Sequence, residues 1–281
     1  MIVNADDFGR HVSINEAVEQ GVEMGVLRSA TLMAGAAAFE DAAERVRRLP
    51  KLGLGIHFTL VDGFPVLPPE EIPSLVDESG VFLPNYGAFS KRYAKGGVHL
   101  AEVRAELAAQ LKKFEAAGLS LDHADSHQHM HVLPRIIEIV IGLCREAGIP
   151  ALRAPFAPLF AGKFGGVGQF AGRVGLALLA RNAAGLARKA GISVPDHFVG
   201  IVAGEAVDEA ELLHAIKNLR EGVTEVMMHP GTANEEIVRA SGWQHDFEAE
   251  FGAILSPKIA KLAAEEGVEI VNFQALGGRI A

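Results

Sequence analysis

From His123 to His131, five ionisable side chains fall at alternate positions: His123, Asp125, His127, His129 and His131. An extended chain would place all of them on one face. Neutral imidazole is a leading ligand for borderline divalent metals, and a structural core has no need of so many in succession. The competing reading is a polar, solvated turn. Asp6 and Asp7 close an apolar run just before Phe8 and Gly9. On a continuous strand they point to opposite faces, whereas a strand end turning into a loop aims both at one place. Capping of the next helix is the plainer alternative. His57 stands late in Gly55-Ile56-His57-Phe58-Thr59-Leu60, as a ligand or as a satisfied core histidine. His229, before Pro230 and Gly231, and Arg153, before Ala154 and Pro155, also end apolar runs. A surface salt bridge is the alternative for Arg153.

The elements that must position these groups alternate. Strand patterns cover residues 2–5, 30–34, 53–60, 121–125, 151–154, 197–202, 224–229 and 269–273. Apolar spacings of three and four predict helices over 16–27, 41–49, 100–117, 134–147, 208–219 and 257–266. Pro134 and Pro257 suit first helical turns, and Gly118, Gly148 and Gly267 suit helix ends. Such alternation predicts an α/β fold, and about eight units predict a distorted TIM-like barrel, built as one domain over 1–281. Asp6, Asp7, His57, His127, Arg153 and His229 then share the rim at the C-terminal ends of the strands, where barrel active sites are built. A carboxylate and two histidines, with positions left open for water, make a hydrolytic metal site.

Two insertions interrupt the pattern. The proline-rich stretch 62–97 reads as a long βα loop over the barrel mouth. The stretch 156–195 is rich in Gly, Ala, Leu and Phe and carries Lys163, Arg173, Arg181, Arg188 and Lys189. It reads as a helical excursion packed on the barrel, as an oligomer interface, or as a basic apolar surface for peripheral contact with a membrane or lipid-bearing substrate.

Composition narrows the class. Lys and Arg number 26 against 35 Asp and Glu, a net charge of −9, which disfavours nucleic acid as a partner. Aromatic residues at 6% leave little for base stacking. The single cysteine, Cys144, excludes an intrachain disulfide and disfavours a thiolate site. Neither a signal-peptide pattern nor an 18-residue apolar run is visible, and the expected location is cytoplasmic.

Together, N-A-D-D-F-G, G-I-H-F-T-L, D-S-H-Q-H-M-H, R-A-P and M-M-H-P-G resemble the YdjC-like carbohydrate deacetylases, which include chitooligosaccharide deacetylases. The resemblance spans nearly the whole chain. It implies a distorted TIM-like barrel and one divalent ion, zinc or magnesium, held by Asp7, His57 and His127. It further implies Asp6 as general base, His229 as general acid and an N-acetylated amino sugar as substrate. Arg153 would contact substrate or oxyanion or lie behind the ligands, as would Asp125, His129 and His131. The stretch E-G-V-T-E-V-M-M-H-P and the basic apolar insertion resemble the branch associated with hopanoid biosynthesis, which implies a glycolipid substrate. That branch carries N-A-H-K-H where this chain has D-S-H-Q-H, as the oligosaccharide enzymes do. The rival readings are another metal-dependent hydrolase, such as a phosphoesterase, and a non-catalytic sugar- or lipid-binding relative.

Overall fold

A computed structural model of the chain describes residues 1–156, 167–200 and 206–277. Six parallel strands form its sheet: β1 (Ile2–Phe8), β2 (Ser29–Leu32), β3 (Gly53–Phe58), β4 (His123–Ser126), β5 (His197–Val199) and β6 (Thr224–Met228). Their order is β4-β3-β2-β1-β6-β5. β1 is central and buried along its whole length, which suits a parallel strand covered on both faces. The sheet curls as a half-barrel. Single parallel bridges from Ala124 to Leu152 and from Ala151 to Ser193 extend it beyond β4.

Two of the eight expected strands are therefore single bridges among the described residues. Around Leu152 the ladder ends at Pro155, which has no N–H to continue it. Val271 bridges Ile2, and Asn272 then caps a 3-10 turn, Phe273–Leu276, that ends the extended chain. Of the expected strand 197–202, residues 201 and 202 lie outside the described residues.

Helices pack around the sheet: α1 (Val12–Met24), α2 (Phe39–Val46), α3 (Tyr86–Ala94), α4 (Leu100–Ala116), α5 (Ile136–Glu146), α6 (Val167–Lys189), α7 (Glu209–Lys217), α8 (Asn234–Ser241), α9 (Phe247–Leu255) and α10 (Pro257–Glu265). Gly118, Gly148 and Gly267 follow helix ends with φ of 68°, 69° and 68°, the left-handed region that glycine enters at no steric cost. Phe39 on α2 meets Phe114 on α4 edge to face at 5.4 Å, tying the helical layer together. Short helices α3, α8 and α9 were not evident from periodicity; Asn85 and Asp246 set α3 and α9 by accepting the N–H groups of Ala88 and Ala249.

Both insertions are structured where they are described. In 156–195, α6 buries Ala180, Ala183, Ala184 and Ala187 and turns Arg181, Arg188 and Lys189 to solvent; Lys163 lies outside the described residues. No described helix is long and apolar enough to cross a membrane. The loop 62–97 is pinned by buried Glu106 of α4, whose carboxylate accepts the N–H groups of Val66 and Leu67, each at 2.9 Å.

Candidate metal centre and active site

β1 ends in a bulge. The register against β2 shifts between Ala5 and Phe8, and Asp7 takes φ of 59°. A non-glycine residue in that region is sterically strained. Its effect here is to turn Asp7 out of strict alternation, so that Asp6 and Asp7 both serve the same rim. Parallel register then sets His57 of β3 beside Asp125 of β4.

The ligand-type atoms of Asp7, His57 and His127 come within 4.8 Å of one another. His127 Nδ1 lies 2.9 Å from Asp7 Oδ1, and His57 Nε2 lies 3.3 Å from it. Yet Asp7 Oδ1 and His57 Nε2 are buried and make only these ion-pair contacts, none aligned as a hydrogen bond. A buried carboxylate oxygen and imidazole nitrogens that converge without hydrogen-bond alignment suit a cation that would join them. One carboxylate and two imidazoles also form a donor set suited to a borderline divalent ion. The residues fit a metal.

The groups behind them fit as well. His57 Nδ1 pairs with Asp125 Oδ1 at 2.7 Å, leaving Nε2 as the free nitrogen. His127 Nε2 lies 3.2 Å from Asp62 Oδ2, leaving Nδ1 to face Asp7. Arg10 bonds to Asp7 Oδ2 at 3.1 Å and to Asp62 Oδ2 at 2.8 Å. Burial alone would raise the Asp7 pKa, but His127 and Arg10 override it and hold the carboxyl well below the usual range. Burial lowers the His57 pKa, but Asp125 and Asp7 outweigh it and raise it to about 10. Burial likewise disfavours charged His127, and Asp7 and Asp62 reverse that.

Beside this centre, Arg153 is fully buried and joins three carboxylates. It donates to both oxygens of Asp6 at 2.6 Å, contacts Asp125 Oδ2 at 2.6 Å and donates to Glu225 Oε1 at 2.7 Å. Desolvation raises the Asp6 pKa, but Arg153 outweighs it and keeps the carboxyl ionised far below its ordinary range. Burial pushes Glu225 the other way, to about 7, and its Oε2 has no partner. The guanidinium is thus engaged by three protein carboxylates.

The histidine run does not keep one face. β4 stops at Ser126, and Gln128 and His129 take φ of 50° and 56°. His123 points away from the rim, stacked on Phe273 at 3.7 Å, with Nε2 3.2 Å from Asn4 Oδ1. His131 fastens the turn: Nδ1 pairs with Ser126 Oγ at 2.7 Å and Nε2 with the Arg153 carbonyl at 3.1 Å. Burial lowers its pKa to about 4, so it works as a neutral ring. His129 lies edge-on to Phe198 at 5.9 Å; burial and nearby Arg153 hold it well below its ordinary pKa. Of the run, His127 joins the candidate metal centre and Asp125 stands behind His57.

His229 follows β6, half-buried and edge-on to Trp243 at 4.8 Å. Its backbone N–H is held by buried Glu250. Burial lowers its pKa, against the opposing pull of Asp6 and Glu250. Sequence reasoning missed Arg10, Asp62, Glu225, Trp243, Glu250 and His245, whose ring stacks on Trp243 at 4.3 Å and lies edge-on to His229 at 5.5 Å. Arg10 and Asp62 carried a weak signal, as charged residues just beyond strands that end in candidate ligands. The other four become neighbours only through folding.

A family model described as YdjC-like protein matches residues 1–265. Carbohydrate deacetylase of Brevibacillus brevis is 31% identical over 99% of both chains. That of Geobacillus stearothermophilus is 30% identical over 97% of this chain and 96% of its own. Among solved structures, an Enterococcus faecalis V583 protein named as a candidate for cellobiose-phosphate cleavage has a TM-score of 0.76 at 25% identity, covering 98% of this chain and 97% of that one. An uncharacterized Agrobacterium tumefaciens C58 protein, with a TM-score of 0.51 at 11% identity, shares the fold over 98% of this chain and 87% of its own.

Proposed function

The chain belongs to the YdjC-like protein family, and on that premise we propose that it is a metal-dependent deacetylase of an N-acetylated amino sugar. Its curated relatives named carbohydrate deacetylase make it a hydrolase of sugar amide bonds. The observation that carries the metal is the convergence of buried Asp7 Oδ1, His57 Nε2 and His127 Nδ1 without an aligned hydrogen bond at Asp7 Oδ1 or His57 Nε2.

Asp7, His57 and His127 would hold the ion, whose donor set suits zinc, with magnesium the alternative where water completes the shell. When bound, such an ion supplies Lewis acidity and makes water acidic enough to lose a proton near neutral pH. Asp6 accepts that proton at Oδ2. Its Oδ1 already accepts from Arg153, Asn4 and Thr31, whereas Oδ2 accepts from Arg153 alone among the described residues. Arg153 keeps Asp6 ionised and fixed in direction, acting through the base rather than on the oxyanion. His229 donates a proton to the leaving sugar nitrogen, which otherwise would depart as an amine anion. Its lowered pKa makes the imidazolium a stronger donor and moves the alkaline limb of activity below that of an ordinary histidine.

The test is acetate release by metal-stripped and metal-restored protein from N-acetylglucosamine, diacetylchitobiose and an N-acetylglucosaminyl lipid. Acetate that returns only with metal supports the reading, and the preferred substrate separates free sugar from glycolipid. No acetate from the whole panel overturns it.

A further inference from the structure

A second group of metal-ligating side chains shares no residue with Asp7, His57 and His127. The ligand-type atoms of His229, His245 and Glu250 come within 4.8 Å of one another. Two segments bring them together. His229 follows β6, while His245 precedes the N-cap of α9 and Glu250 stands one turn into that helix. The Gly231 N–H donates to the Phe247 carbonyl at 3.1 Å, and a Cβ on Gly231 would meet that of Phe247 at 3.0 Å, so the segments pack closely.

His245 is buried without the partners that a buried ring normally has. Its side chain is 4% exposed, yet neither ring nitrogen makes an aligned hydrogen bond to a described residue; Nε2 only approaches Glu250 Oε1, at 3.2 Å. Buried polar atoms are nearly always satisfied, so such a ring points to a ligand that would complete it. The ring is also held in place. It stacks on Trp243 at 4.3 Å and lies edge-on to Phe247 at 4.9 Å and to His229 at 5.5 Å. Glu250 is equally fixed, because its carboxylate accepts the N–H groups of Val207 and His229. A carboxylate oxygen has two lone pairs, so Oε1 keeps one beyond its bond to Val207.

The surroundings favour a cation. His245 lines an open cavity of about 800 Å³ whose wall also carries Asp208, Glu211, Glu235 and Asp246, with no lysine or arginine among the described lining residues. A cleft lined by one sign of charge raises the local concentration of the opposite ion. Two imidazoles and one carboxylate are a donor set that zinc accepts while keeping a position open to water.

We propose that His229, His245 and Glu250 form a second divalent-cation site, of zinc type, whose occupancy switches the enzyme off. The inhibition rests on the deacetylase reading, whereas the site itself does not. In that reading His229 donates a proton to the leaving nitrogen. A ring bound to an ion at one nitrogen is not an imidazolium, so that proton is lost. One ion would activate and a second would inhibit.

Zinc itself is the probe, and Trp243, the sole tryptophan, reports from beside both His229 and His245. The full chain carrying Asp7→Asn and His127→Ala, which removes the first centre, is titrated with zinc under fluorescence and equilibrium dialysis. About one ion per chain is expected to bind with a change in Trp243 emission, and His245→Phe, which keeps a ring on Trp243, or His245→Ala weakens it about tenfold or more. No bound ion, or binding undiminished in both His245 variants, overturns the site. Binding without a change in emission places the ion elsewhere and overturns it as well. With the first centre intact, acetate release is expected to rise with the first zinc and to fall about tenfold or more with the second, and His245→Phe keeps the rise and loses the fall. A fall that persists in His245→Phe overturns the inhibitory role. No acetate at any zinc level, with the binding pattern intact, overturns the deacetylase reading and leaves the site supported.

Discussion

His57 and Asp125, side by side in the parallel register of β3 and β4, are joined Nδ1 to Oδ1 at 2.7 Å with both side chains buried. The bond fixes the ring so that Nε2 faces Asp7. Asp125 is held in turn by Arg153 at 2.6 Å and by Thr31 Oγ1 at 3.2 Å. Asp125→Asn keeps the shape but removes the charge that makes His57 a strong donor. Metal affinity is expected to fall about 10–100-fold, read by competition with a chromogenic chelator. Affinity equal to wild type would show that Asp125 does not support the ligand.

Metal uptake should release protons. With its pKa raised to about 10, His57 carries its proton at pH 7 in the metal-free protein, and that proton must leave before Nε2 can ligate. Calorimetry in buffers of different ionisation enthalpy is expected to give at least one proton released per ion. Affinity should accordingly rise about tenfold per pH unit between pH 6 and 9 for each proton displaced. A buffer-independent heat would place ligation elsewhere.

The proposed mechanism gives neighbouring Asp6 and Asp7 separate duties, and substitution should separate them. Asp6→Asn is expected to lower kcat by about 10²–10⁴-fold while metal binding persists. Asp7→Asn and His127→Ala are expected to lose the metal itself. Metal content by emission spectroscopy alongside acetate release distinguishes the two classes. An active Asp6→Asn protein would remove the base assignment.

How much of this was legible in the sequence follows from what each residue depends on. Strand ends bearing Asp7, His57, His127 and His229 could be read because apolar runs and turn residues are local signals. The disposition of the histidine run could not, because it turns on Gln128 and His129 entering the left-handed region, where nothing in their residue types demands it. Convergence of Asp6 and Asp7 rests in the same way on one backbone angle at Asp7. The extension of the sheet by single bridges at Leu152 and Val271 also escaped sequence patterning, since a bridge and a full strand have the same apolar signature. Arg153 was visible as a strand-end cation, but its three carboxylate partners lie on β1, β4 and β6 and meet only in the folded interior.

Glu225 should make stability depend on pH. Burial raises its folded pKa to about 7, above the ordinary 4.5, so between those values the native state holds a proton that the unfolded chain has lost. Stability contributed in this way is complete below pH 4.5 and falls as pH rises toward 7. The interval corresponds to about 3 kcal/mol at full shift. Glu225→Gln removes the titration and keeps an acceptor for Arg153. Its stability relative to wild type, from urea unfolding at pH 5 and pH 8, is expected to improve at the higher pH. A difference that is constant across this range would mean that Glu225 is ionised throughout.

Gly55 is a position at which the interior cannot accept a side chain without movement. A Cβ there would stand 2.4 Å from His123 Nε2 and 2.5 Å from its Cε1. The ring cannot simply retreat, because it is stacked on Phe273 at 3.7 Å with an interplanar angle of 5°, and Asp122 holds its Nδ1 at 2.5 Å. Gly55→Ala is therefore expected to destabilise by about 1–3 kcal/mol, as overpacking of a rigid interior does. The cause can be separated from any backbone effect by a double-mutant cycle. His123→Ala leaves space at that point, so the cost of Gly55→Ala should shrink to within about 0.5 kcal/mol in that background. If the cost is the same in both backgrounds, the glycine is required by its own backbone and not by the histidine it faces. Urea midpoints of the four proteins decide between these.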